Sequence, residues 1–223
     1  MDKIKIWNDF CKEYNVLEKG VPLFETDGLF VNSFDYGKKV RKILKRNEEM
    51  ENLVISEVNK VIDDFNSGKE DYEGLIYMMY WKRDNGVIPL YIGKSEKYGR
   101  KGGNLSINIA NIERNRGKFC RWGYNYAYHI GDLSAIVLPG HSDKKKNRKY
   151  KEWGDRLFEE VNSITPKLRE ETYFWIRAWR KEDIGPWEEF GQTSLTFLEY
   201  LLIGLASDIF TDTLLNYEGV NRK

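Results

Sequence analysis

Tyr77 and Tyr91 each place a phenol in an apolar run, Leu75–Trp81 and Val87–Ile92. Far along the chain, Glu199 is the one carboxylate in Phe197-Leu198-Glu199-Tyr200-Leu201-Leu202-Ile203. Burying a carboxylate without a partner costs several kcal/mol, at about the scale of its desolvation, so this residue should have a partner. Between them, Phe119–Gly131 is the densest polar-aromatic stretch and holds Arg121 and His129, one of only two histidines. From Lys94 to Arg121 there are eight Lys or Arg against Glu96 and Glu113, a local excess of six positive charges. A second basic run spans Lys144–Lys151. Such clusters attract phosphates by counterion release and long-range steering. The plainer reading is a solvated loop. For the second run the two readings are level, whereas the first run's place beside Tyr91 favours phosphate contact.

The elements that must position these groups are legible in outline. The two apolar runs flank Asp84-Asn85-Gly86, and Asn85-Gly86 favours a tight hairpin because both residues tolerate positive φ. Pro89 has no N–H, so the second strand needs a bulge or an edge on that side. Ser194–Leu215 repeats apolar residues at Leu195, Leu198, Leu202, Leu205 and Ile209, a helical period that Thr193 or Ser194 can cap. Thr172–Trp179 reads as a further strand, with Tyr173, Trp175, Arg177 and Trp179 on one face. Lys151–Val161 reads as a helix, and Leu105, Ile109 and Ile112 mark another. Residues 1–72 read as a helical extension: Ile4–Tyr14 has a helix-like apolar face, Gly20-Val21-Pro22 breaks it, and Val40–Phe65 forms one or two amphipathic helices. This extension is either a cap on the core or an arm that embraces DNA or a second copy, with the cap preferred.

At 223 residues the chain suits one domain with an extension. The net charge of +1 hides the local basic excess and by itself points to no partner. Cys11 and Cys120 lack metal-ligand spacing and fit a reducing cytoplasm. No apolar run approaches the roughly 20 residues that span a bilayer, and Met1-Asp2-Lys3 opens no signal peptide, so no membrane partner is expected.

Leu75-Ile76-Tyr77 and Tyr91-Ile92-Gly93 together resemble the two signature triplets of the GIY-YIG nucleases. The first departs from the pattern, since Gly74 stands one position early. Glu199, on a helix after the third strand, matches the family's single metal-binding glutamate, and Leu214-Leu215-Asn216 is similar to its terminal Leu-Asn. The resemblance covers roughly residues 73–217. It implies an α+β fold with a small antiparallel three-stranded sheet flanked by helices, a nuclease-like domain over 73–223 and an insertion at about 122–170.

The implied activity is hydrolysis of DNA phosphodiester bonds with one Mg²⁺ or Mn²⁺ per site, held by Glu199. Tyr77 would act as base or water-positioner, which needs nearby cations to favour its phenolate. Tyr91 would orient water or phosphate. An arginine would clamp the phosphate bidentately: Arg121 is the first choice, with Arg100, Arg114 and Arg116 as rivals. His129 is either a proton relay or a structural histidine bonded to backbone. Lys94 would lower the tyrosine pKa, and Lys94, Arg100 and Asn216 would contact DNA. The compact chain looks most like a type II restriction endonuclease acting on double-stranded DNA, and cutting both strands favours a homodimer. The alternative is a non-catalytic nucleic-acid-binding module on the same fold. Chance triplets on a structural α/β protein are the third reading.

Overall fold

The computed structural model describes residues 2–37, 41–84, 86–100, 102–110, 112 and 129–221. In chain order these form α1 (Lys3–Glu13), α2 (Val16–Lys19), β1 (Val21–Pro22), β2 (Thr26–Asp27), β3 (Phe30–Val31), β4 (Ser33–Tyr36), β5 (Arg41–Leu44), α3 (Glu48–Asn66), β6 (Tyr72–Arg83) and β7 (Gly86–Glu96). Then follow α4 (Ile107–Ala110), α5 (Ile130–Val137), α6 (Arg148–Leu157), β8 (Tyr173–Arg180) and α7 (Leu195–Ile209). The protein is α+β.

The hairpin β6–β7 lies where the two apolar runs place it. Arg83 pairs with Gly86, so the two-residue loop is Asp84-Asn85, one position ahead of the expected Asn85-Gly86. Asp84 takes up the left-handed conformation at φ 46°, and Asn85 lies outside the described residues. Antiparallel β8 pairs with the other edge of β6, so β6 is flanked on both sides.

Three strands were expected in this sheet. Among the described residues it has four, in the order β1-β8-β6-β7. The added strand comes from Gly20-Val21-Pro22, expected only as a break. Val21 pairs with Phe174 and Pro22 with Tyr173, and the Leu23 N–H donates to Thr172 O at 2.8 Å. A free strand edge offers backbone partners to any extended dipeptide laid against it, and Pro is tolerated at such a margin.

The expectation of a helical 1–72 needs the same correction. β2 pairs with β3 and β4 with β5 as small ribbons, and Arg41–Leu44 is strand where a helix was expected. Helix α3 begins only at Glu48, where the Asn47 side chain accepts the Glu49 N–H at 2.8 Å. Three acidic residues in its first turn suit the positive end of the helix dipole.

Alternation along β6 sends its residues to two cores. Leu75, Tyr77, Met79 and Trp81, with Phe174 and Ile176 of β8, pack towards α3, α5 and α6. Ile76, Met78 and Tyr80, with Trp175 and Trp179, pack against α1 and α7. Each fully buried Leu of α7, such as Leu198 or Leu202, contributes about 1.5–3 kcal/mol. Helix α7 stops at Ile209, short of the expected Leu215, and its first free N–H is capped by Glu73 of β6 rather than by Thr193 or Ser194 (Leu195 N to Glu73 Oε2, 2.5 Å). Helix α6 runs Arg148–Leu157, shifted towards the N-terminus from the expected span, because Phe158 turns extended to bridge Leu168.

Candidate active site

The site is built on the edge of β7 away from β6. Met79 pairs with Tyr91 and Tyr80 with Pro89, which leaves Leu90 as the extra residue of a β-bulge. The missing N–H of Pro89 predicted such an irregularity. The bulge resets the alternation, so Leu90 and Tyr91 both join the core on the α3 side and Ile92 returns to the α7 side. Tyr91 thereby shares a face with Tyr77. Tyr77 itself stands opposite Gly93, and a Cβ on Gly93 would lie 2.7 Å from the Tyr77 hydroxyl and Cζ. The phenol of Tyr77 therefore crosses β7 over Gly93, where no side chain stands in its way. Gly74 has a separate duty: with φ 147°, a Cβ there would meet Ser95 O at 2.2 Å.

Beyond β7 there is no further strand among the described residues; the chain after α7 takes that place. Thr213 Oγ1 donates to Pro89 O (3.2 Å) and Leu215 N to Leu90 O (2.7 Å). The Asn216 amide bonds Ile92 twice, accepting its N–H at 3.0 Å and donating to its O at 2.8 Å. Asn216, expected to touch DNA, thus has its carboxamide engaged by the β7 backbone. Glu199 of α7 receives the next amide outward, that of Lys94. Burial pushes the Glu199 carboxyl above its ordinary value, opposed by the Lys94 charge and amide. The Lys94 ammonium pairs with Glu96.

A pocket of about 330 Å³ opens at this edge, bordered by Tyr91, His129, Lys149, Glu199, Tyr200 and Asn216. Tyr91 reaches it from one face of the sheet and Glu199, on α7, from the other. The third wall comes from the long segment before β8. His129 is left-handed (φ 59°) at the start of α5, and its Nδ1 lies 2.5 Å from the Tyr150 hydroxyl. Burial, and then the Lys149 charge, hold its pKa well below 6.5, so the imidazole is neutral at physiological pH. Tyr91, His129 and Trp153 form one aromatic group, with Tyr91–Trp153 centroids 4.8 Å apart and His129–Trp153 5.1 Å. Lys149 sits with Nζ 4.8 Å from the Tyr91 ring centre, and burial lowers its pKa.

Of the residues expected at the site, Tyr91, His129, Glu199 and Asn216 line this one pocket. Tyr77 lies beneath Gly93, only 4% exposed, and Lys94 adjoins through its backbone. Arg100 is exposed and does not line the pocket. Arg121, Arg114 and Arg116 lie outside the described residues. Lys97, counted in the basic excess, is fully buried in an ion pair with Asp64 (2.7 Å), so it cannot meet a phosphate.

Sequence reasoning counted Lys149 only as one member of the basic run Lys144–Lys151 and did not name Glu218, which also lines the pocket. A signal existed for Lys149: it stands four residues before Trp153, on the inward side of an amphipathic helix. Among the described residues no cluster of three or more His, Cys, Asp or Glu could hold a metal. The half-buried Glu199, in an open pocket, does suit a hard ion that keeps several waters and takes one carboxylate. No helix among the described residues is long and apolar enough to cross a membrane. Comparison with protein-family models, curated proteins and solved structures finds no match for this chain.

Proposed function

We propose that the protein is a metal-dependent DNA endonuclease of GIY-YIG type, acting on double-stranded DNA in the manner of a restriction enzyme. The observation that carries the reading is the meeting of Tyr91 and Glu199, distant in sequence, at one pocket, with the Tyr77 hydroxyl directed across Gly93 beneath it. Glu199 would hold Mg²⁺ or Mn²⁺. When bound, that ion supplies positive charge to the phosphate oxygens and the leaving 3′ oxygen. Tyr77, as the phenolate, would take a proton from the attacking water, its oxygen reaching the site across Gly93. Tyr91 orients the phosphate over the bulged strand. His129, neutral and fixed on Tyr150, keeps the Tyr91 ring in place. A homodimer with two such sites would cut both strands of a palindrome.

Supercoiled-plasmid cleavage with Mg²⁺ tests this, comparing the intact protein with Glu199→Ala and Tyr77→Phe. Discrete fragments from the intact protein, reduced at least about 10²-fold in both variants, are expected. Salt-sensitive DNA binding with no nicking would leave the non-catalytic binding module instead.

A further inference from the structure

On helix α6 the basic side chains divide into two groups. Arg148 is exposed and pairs with Glu152 at 2.9 Å, and Lys146, just before the helix, pairs with Asp143 at 2.9 Å. Lys149 turns the other way. Its ammonium lies over three rings, 4.8 Å from the centre of Tyr91, 5.4 Å from Trp153 and 5.7 Å from Tyr150. Among the described residues it forms no ion pair. Ring faces attract a cation, at about 0.5–2 kcal/mol, but accept little hydrogen bonding. An ammonium has three N–H donors, and Lys149 lines the pocket.

The pocket is therefore polarised. Glu199 and Glu218 border it on the side of α7 and the following segment, and Lys149 borders it on the side of α6. A partly buried cation gains most from an anion that arrives desolvated, and burial already disfavours its charge in the free protein. The same ammonium lies against Tyr91, so an anion bound there touches the residue that would orient the phosphate.

We propose that Lys149 is a catalytic residue that binds the scissile phosphate in the pocket between Tyr91 and Glu199. The assignment rests on the nuclease reading above. It gives the segment before β8 a part in the chemistry and supplies a phosphate cation from among the described residues.

Two measurements on the intact protein, Lys149→Met and Lys149→Arg test it: Mg²⁺-dependent plasmid cleavage, and binding of a short DNA duplex in EDTA across a salt series. Lys149→Met keeps the stem over the rings and removes the charge. Its cleavage is expected to fall by about 10²–10³-fold. The slope of log K against log salt is expected to lose roughly one unit, the share of one phosphate contact. Lys149→Arg is expected to recover most of both. Cleavage by Lys149→Met equal to that of the intact protein overturns the proposal while the nuclease reading stands. A fall in cleavage with an unchanged salt slope overturns it too, because the lysine would then act only by packing on Tyr91. If the intact protein cuts nothing, the nuclease reading fails, and with it the catalytic role; the slope then reports only whether Lys149 touches DNA. If Lys149→Met does not fold, Lys149→Gln is judged by the same two readings.

Discussion

Glu199 is costly to keep ionised where it stands. Its folded pKa is raised above the ordinary 4.5, so the folded protein holds that proton more tightly than the unfolded chain. The sign follows: its contribution favours folding below pH 4.5 and is lost as pH rises through the raised folded value. Glu199→Gln removes the cost and can still accept the Lys94 amide. Its Tm at neutral pH should therefore exceed that of the intact protein by a few degrees, while the proposed cleavage would be lost. Mg²⁺ should raise the Tm of the intact protein and leave that of the variant unmoved, as thermal denaturation by fluorescence will show. The histidines carry the opposite sign. Burial holds both His129 and His141 below 6.5. Stability from them is complete above pH 6.5 and lost as pH falls below it, at up to about 1.4 kcal/mol per unit for each. A Tm lower at pH 6 than at pH 7.5 is expected; equal values would mean that the folded state protonates these imidazoles freely.

Among the elements, the junction of α3 with the hairpin rests on one buried pair. Lys97 donates to Asp64 and to Lys69 O, and Asp64 also accepts the N–H groups of Asp71 and Tyr72. Lys97→Met leaves that carboxylate buried without its cation, which should cost about 3–5 kcal/mol, read from the denaturant midpoint. The elements legible in the sequence were those whose own burial imposes a period: the two apolar runs of the hairpin, the Trp-rich third strand, and α7 with its leucines. The bulge was legible too, through the absent N–H of Pro89. The strands of residues 21–44 were not. Two-residue pieces such as Val21-Pro22 have no period to display, and the pairing of β1 is set by an edge some 150 positions away. Within the site, Tyr91 and Glu199 stood out as polar groups in apolar runs, whereas Lys149 was one cation among several in Lys144–Lys151. What separates it is the direction in which α6 turns it, which its spacing to Trp153 hints at and the packing of Tyr150 and Trp153 fixes.

At the scale of the molecule, the N-terminal residues belong to the same core as the hairpin. Trp7 is fully buried, donates from Nε1 to Val87 O at 2.9 Å and meets Phe210 edge-on at 5.5 Å. Phe10 and Tyr14 continue the contact, and the Tyr14 ring packs against Trp179 with centroids 5.2 Å apart. Trp7→Ala should lower the stability of the whole fold by about 3–5 kcal/mol. An arm that merely embraces DNA or a partner would leave the denaturation midpoint unchanged, and the two outcomes are read in one unfolding titration.

The closing of β7 by residues 213–216 also has a consequence in time. Asn216 and the Ile92 backbone it secures are separated by 124 positions. At about 5–20 residues per second of synthesis, the hairpin leaves the ribosome many seconds before its outer margin can be covered. During that interval the bare N–H and C=O groups of β7 are open to any extended chain, and Pro89 is among the few features that blunt them. The wall of the pocket that holds Glu199 is equally late. A nascent chain thus carries its tyrosines early and its carboxylate late, and chemistry that needs both must wait until translation has passed Asn216.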